Sequence, residues 1–242
     1  MQKVLVTGEG KTDYGCKDYA SGNWNWGPIY YYIQNCLSEE QEQLLQFDVV
    51  EREDVERIKL QRSAKHLRGK AIPSRKFKNY LMNKGYSYGI YYCDTDKVES
   101  GSNTDDSSNK KHFEKIYVDV KMGLESDNNR IIPMIAMKMI ESWMLADENA
   151  YMKIYDTPVN LPNKPELIWG KKSDVCSNYP KHVLRRTLES VHGYGGDLQS
   201  VYNEIAKNTD IEILQEKCPV SFGKFKEDIG KFLDRLENDA NI

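Results

Sequence analysis

Two apolar runs that each end in acids constrain this chain more than anything else in it. The first is VLVTGEGKTDYG, Val4 to Gly15: a short strand over Lys3 to Thr7, then Glu9 between glycines and Asp13 four residues on. The second is YGIYYCDTDK, Tyr88 to Lys97: an aromatic, β-branched strand running into Asp94 and Asp96. Alternate strand residues face the same way, so Asp94 and Asp96 can converge. Glu9 and Asp13 share a face if a helical turn follows Gly8. Apolar strands separated by helical stretches predict an α/β fold with a mainly parallel sheet. Ligands of such sheets gather at the carboxyl ends of the strands, where both acid pairs fall. Carboxylates packed together need a counter-charge. Mg²⁺ (or Mn²⁺) has the right oxygen preference and binds phosphate as well. Either pair alone would be an ordinary solvated turn, and Lys11 could simply pair with Asp13.

The remaining chain supplies sheet, cover and charge. Gly27-Pro28 opens a helix carrying Ile29, Tyr32, Ile33 and Cys36. Residues 16 to 26 look irregular and polar. Trp24, Trp26, Tyr30, Tyr31 and Tyr32 are candidates for base stacking or for plain packing. Phe47 to Val50 predicts a second strand. Residues 57 to 78 hold nine lysines and arginines and no acid, against a net charge of −3 for the whole chain. Phosphate backbone is the natural partner of such a run, and a solvated face is the alternative. Lys11, Arg62, Lys65, Arg68, Lys70, Arg75, Lys76 and Lys97 are the candidate nucleic-acid contacts. Ser74 is expected to cap a helix through Phe77 and Leu81. Residues 98 to 110 form a polar loop, a helix spans His112 to Leu124, and Ile131 to Met137 is a further buried strand.

In MIESWMLAD, Ile140, Trp143, Met144 and Asp147 share a helical stripe, so Asp147 needs a partner, a cap or a metal. Glu141 falls at a strand-to-helix junction, where a helix dipole alone would favour an acid. After Pro158 the pattern turns helical: about 180 to 191, 196 to 208, 210 to 216 and 221 to 237. This predicts a domain over residues 1–157 and a helical extension over 158–242 packed on it. His182 and His192 are lone histidines. The five cysteines form no CxxC pair, which fits a reducing cytoplasm rather than a disulfide or zinc scaffold. No apolar run approaches a membrane span, and no Walker A, strand-borne GxGxxG or GxSxG is present.

Glu9 in VTGEGKTD and Asp94-Thr95-Asp96 in YYCDTDK resemble the two motifs of the TOPRIM superfamily. Gly27-Pro28-Ile29, IAMKMIESWMLAD and CPVSFGKF (Cys218 to Phe225) narrow the resemblance. Together they look like the stand-alone OLD-related, AbiL-second-component and RloB-like proteins of bacterial phage-defence and abortive-infection systems. The resemblance implies a TOPRIM/Rossmann-like fold and a Mg²⁺-dependent nuclease acting on DNA or RNA, tRNA included. It implies catalytic roles for Glu9, Asp13, Asp94, Asp96 and Glu141, with metal held by Glu9, Asp94 and Asp96. It also implies Glu9 as general acid/base, Glu141 as a second metal position or a base, and an ABC- or SMC-like ATPase partner. The alternative is a non-catalytic metal- or nucleic-acid-binding subunit of an ATPase complex. The helical half could instead serve homo-oligomerisation.

Overall fold

The computed structural model describes residues 1–18, 20–21, 23–95, 106–125, 128–191 and 195–240. The chain runs β1 (Gln2–Thr7), α1 (Lys11–Tyr14), β2 (Gly15–Lys17), β3 (Trp24–Trp26), α2 (Pro28–Gln34), α3 (Glu39–Leu44) and β4 (Leu45–Val49). It continues through α4 (Arg52–Glu56), a 3-10 turn at Arg62–His66, α5 (Ala71–Asn83), β5 (Tyr88–Asp94), α6 (Asp106–Leu124) and β6 (Ile131–Ala136). The rest is helical: α7 (Glu141–Met144), α8 (Glu148–Tyr155), a 3-10 turn at Pro165–Leu167, α9 (Pro180–Ser190), α10 (Leu198–Asn208), α11 (Ile211–Lys217) and α12 (Ser221–Ala240). Four strands form one parallel sheet in the order β4-β1-β5-β6, giving a Rossmann-like α/β fold.

The two-residue period of the strands sorts their side chains onto two cores. Val4, Val6, Tyr88, Ile90, Tyr92, Ile132 and Met134 face one core, which α2 and the helices from α7 to α12 complete. Leu5, Tyr91, Cys93, Ile131 and Ile135 face the other, closed by α5 and α6. Both faces are covered, so the strands read as continuous apolar runs rather than alternating ones. Pro133 sits in β6, which pairs with β5 and lies at the end of the strand order. That is where a residue without an N–H belongs in a sheet.

The connections fix where a site can open. The chain leaves β1 toward α2 on the first face, and leaves β5 toward α6 on the second. Neighbouring strands whose connections diverge leave a crevice at their carboxyl ends. In this sheet that point lies between β1 and β5.

The local differences from the sequence reading have plain causes. Residues 16 to 26 contain the antiparallel pair β2–β3, with Gly15 opposite Trp26 and Lys17 opposite Trp24. Ser74 lies inside α5 rather than capping it. Its hydroxyl donates back to the Lys70 and Ala71 carbonyls, 2.9 and 3.2 Å away. The first turn of α5 tolerates Pro73 because that position has no helical acceptor for its N–H. The helix predicted from His112 begins at Asp106. Among the described residues, no helix is long and apolar enough to cross a membrane.

Candidate active site

Glu9 follows β1, Asp94 ends β5, and Glu141 opens α7 just beyond β6. These strands are neighbours in the sheet, so three acids distant in sequence fall at the same end of it. Asp13 joins them from α1. Its carboxylate folds back to accept the Gly10 N–H at 3.0 Å, which fixes it in the first turn. Asp96 and Lys97 lie outside the described residues, as does most of the loop expected over 98 to 110.

The cluster is acidic and short of solvent. Burial raises the Asp13 carboxyl to about 7, and Glu141 and Glu9 add to the shift while Lys181 and the Gly10 N–H oppose it. Asp94 is pushed well above the usual carboxylate range, first by burial, then by Asp13, with Glu141 and Glu9 adding to it. The Tyr92 hydroxyl donates to Asp94 Oδ1 and holds that carboxylate in place. Glu141 is almost fully buried, yet Lys181 Nζ reaches its Oε1 at 3.4 Å and the Tyr202 hydroxyl donates to the same oxygen at 3.4 Å. For Lys181, burial works against the charge, but Glu141, Tyr179 and Asp13 outweigh it and its pKa is raised.

Glu9 stands apart from the other three. Side chains of Tyr92 parity face α2 and α7, where Asp13, Asp94 and Glu141 gather. Glu9 instead pairs with Lys70, at the start of α5, and lines a cleft on the α4–α5 side. Its backbone carbonyl accepts Arg52 Nη1 at 3.2 Å. Among the described residues, no three His, Cys, Asp or Glu side chains stand close enough together to hold an ion.

The middle residue of the DTD motif is fixed from several directions. Thr95 N donates to the Ala136 carbonyl at 3.1 Å, and Thr95 Oγ1 accepts from Lys138 N at 2.8 Å. His112 Nε2 pairs with the Thr95 carbonyl at 3.0 Å. Lys138 has a left-handed backbone (φ 68°), which turns its amine toward the Leu167 and Ile168 carbonyls. Burial lowers that amine to about 8, with Asp106 opposing.

Other sequence candidates are placed as follows. Lys11, Arg62, Lys65 and Arg68 are exposed. Lys70 and Lys76 line the cleft beside Glu9. Arg75 Nε donates to the Gly123 carbonyl at 2.7 Å, and its Nη2 pairs with Glu125 at 2.6 Å, joining α5 to the end of α6. Asp147 is an N-cap: Oδ1 accepts Asn149 N at 2.9 Å and Oδ2 accepts Asp210 N at 2.8 Å. The aromatics mostly stack on one another. Trp26 lies 4.1 Å from Tyr30, Trp24 stacks on Tyr14, and Tyr32 is buried against Trp143.

Two glycines hold the acid loop in shape. Gly15 has φ 99°, a conformation L side chains rarely adopt. Gly27, at the N-terminus of α2, packs so closely that an added Cβ would sit 2.2 Å from the Asp13 carbonyl oxygen. Gly27→Ala must therefore push Asp13 out of place. The expected cost is about 2–3 kcal/mol in urea unfolding. Wild-type stability would show that the loop can move aside.

Sequence reasoning missed Lys181, Tyr202, Lys138, Tyr92 and Arg52 as site residues. Only Tyr92 had a local signal: it lies two residues before Asp94, on the same face of β5. No protein-family model, curated protein or solved structure matches this chain.

Proposed function

We propose that this chain is a Mg²⁺- or Mn²⁺-dependent phosphodiesterase that cleaves nucleic acid. One observation supports it above all: Asp13, Asp94 and Glu141 gather at the carboxyl end of the sheet with Glu9 on its other side, and Glu141 and Glu9 add to the cost of charging Asp13 and Asp94. Carboxylates drawn into a poorly solvated crevice cost stability unless a cation joins them. The donor set is all oxygen, which suits Mg²⁺ or Mn²⁺. Asp13, Asp94 and Glu141 are the acids that would have to draw closer to hold the ion, since no three acids among the described residues stand within ligating reach of one another. When bound, it supplies charge neutralisation and an acidified water.

The chain's own groups divide the remaining work. Lys181 keeps a positive charge against Glu141 at the mouth of the cluster, where a phosphodiester oxygen would be drawn. Tyr202 orients Glu141 through its hydroxyl. Glu9, set apart against Lys70, is the carboxylate left to move protons. Arg62, Lys65 and Arg68 offer exposed charge to a phosphate backbone. The TOPRIM resemblance adds the expectation of a defence effector working beside an ATPase, which co-expression and co-purification test.

Purified protein is expected to degrade plasmid, single-stranded DNA or total tRNA when Mg²⁺ or Mn²⁺ is added, and not in EDTA. Glu141→Gln should lower the rate by about 10²-fold or more. Metal binding with no cleavage of any of the three would favour the non-catalytic subunit.

A further inference from the structure

On the α4–α5 side of Glu9 lies a cleft of about 260 Å³. Its lining includes three cations, Arg52, Lys70 and Lys76, against two carboxylates, Glu9 and Glu56. Each cation at the cleft has a contact of its own, two of them with the cleft's carboxylates. Arg52 Nε pairs with Glu56 at 2.6 Å, Lys76 Nζ donates to the Glu56 carbonyl at 2.6 Å, and Lys70 pairs with Glu9. The buried ring of Tyr91 lines the cleft as well. A cationic rim over an aromatic wall suits a phosphate with a sugar or base attached. The volume falls just below the range of roughly 300–1,000 Å³ for pockets that enclose drug-sized ligands. A cleft of this size offers room on the scale of one nucleotide rather than a base pair.

We propose that this cleft receives a single unpaired nucleotide of the substrate strand, next to the acid cluster, so that the protein acts on single-stranded nucleic acid. This rests on the phosphodiesterase reading for its purpose, but not for its measurement. In the ligand-free form Glu9 neutralises Lys70, so a phosphate entering the cleft competes with that carboxylate. Removing the Glu9 charge should strengthen phosphate binding, whereas losing a cation should weaken it.

The test is binding in EDTA, where no cleavage is needed. A fluorescein-labelled single-stranded oligonucleotide is expected to bind at least about tenfold more tightly than the same sequence in a duplex. AMP should compete, inorganic phosphate should compete more weakly, and adenosine should not. Lys76→Glu should weaken single-strand binding about tenfold and reduce its salt slope by about one. Glu9→Gln, a change at a position whose side chain is 21% exposed, should tighten AMP binding several-fold. Equal affinity for duplex and single strand would overturn the proposal, as would AMP that fails to compete while Lys76→Glu is silent. Competition by inorganic phosphate as strong as by AMP would also overturn it, leaving a simple anion site. Binding as expected with no metal-dependent cleavage would refute the nuclease reading alone. Cleavage without AMP competition would refute the cleft alone.

Discussion

Asp94→Asn is expected to make the metal-free protein more stable at pH 8 while sharply slowing cleavage. Asparagine keeps the Oδ1 acceptor for the Tyr92 hydroxyl and removes the charge. The wild-type carboxyl has a raised pKa, from burial first and then from Asp13. A carboxyl in an unfolded chain titrates near 3.9. Between that value and the folded value, the folded state binds more protons than the unfolded state. Stability then falls as pH rises, and the penalty is complete above the folded pKa. For Asp13, raised to about 7, that window is about pH 4 to 7. Its shift alone would correspond to about 4 kcal/mol; since it is half-buried and shares its protons with Asp94, about 2 kcal/mol is the better expectation. In EDTA, Asp94→Asn should therefore melt about 4–8 °C above wild type at pH 8, with the gap closing toward pH 4. Mg²⁺ should raise the wild-type melting temperature and leave that of the variant nearly unchanged. Cleavage should fall by about 10³-fold. A variant that melts below wild type at pH 8 would show that the acids do not repel one another. A gain of equal size at pH 4 would show that the gain is not electrostatic.

Such a trade of stability for chemistry is what a functional crevice looks like, and part of it is legible in the sequence. β1 and β5 declare themselves because β-branched and aromatic runs stop abruptly at glycines and acids. The C-terminal helices fall within a few residues of their predicted ends because Pro180, Asp197 and Asp210 mark their starts. The hairpin β2–β3 was not legible: three-residue strands show no alternation, and their pairing depends on how closely Gly15 and Gly27 approach other backbone. The division of the acids was not legible either. Spacing placed Glu9 with Asp13, whereas the structure turns Glu9 toward Lys70 on the far side of the sheet's end. Lys181 and Tyr202 reach Glu141 from helices that carry no motif of their own, so only the packing of α9 and α10 brings them there. IESWMLAD and CPVSFGKF stand out as sequence blocks, and the fold shows their common ground: they pack on each other. Trp143 lies against Phe222 and Phe225, and Cys218 Sγ points at the Ser142 carbonyl.

That joint has a hidden keystone, and Glu166→Ala is expected to lower stability by about 3 kcal/mol, or about 6–12 °C in melting temperature. Glu166 is 1% exposed, in the 3-10 turn Pro165–Leu167, a stretch without a motif. Its Oε1 accepts Val220 N at 3.0 Å; its Oε2 accepts Ser221 N at 2.9 Å and Ser221 Oγ at 2.7 Å. Ser221 opens α12, so the carboxylate caps the first N–H groups of a 20-residue helix and opposes its dipole. Ser221 Oγ in turn accepts Trp143 Nε1 at 2.9 Å, two residues after Glu141 in α7. Burial raises the Glu166 carboxyl, and the bonds from Ser221 and Val220 pull it back. Alanine would leave the buried Ser221 N–H and the part-buried Val220 N–H without an acceptor, and an unsatisfied buried donor costs about 1–3 kcal/mol. Glutamine keeps one acceptor oxygen, so Glu166→Gln should lose only about 1–2 kcal/mol. Urea unfolding followed by tryptophan fluorescence measures both, because Trp143 reports on the joint directly. Because the chain from Glu166 ends beside Glu141, the alanine variant should also cleave more slowly than its folded fraction accounts for. Melting within a degree of wild type, with cleavage unchanged, would mean that water replaces the carboxylate and that α7 holds Glu141 without help from α12.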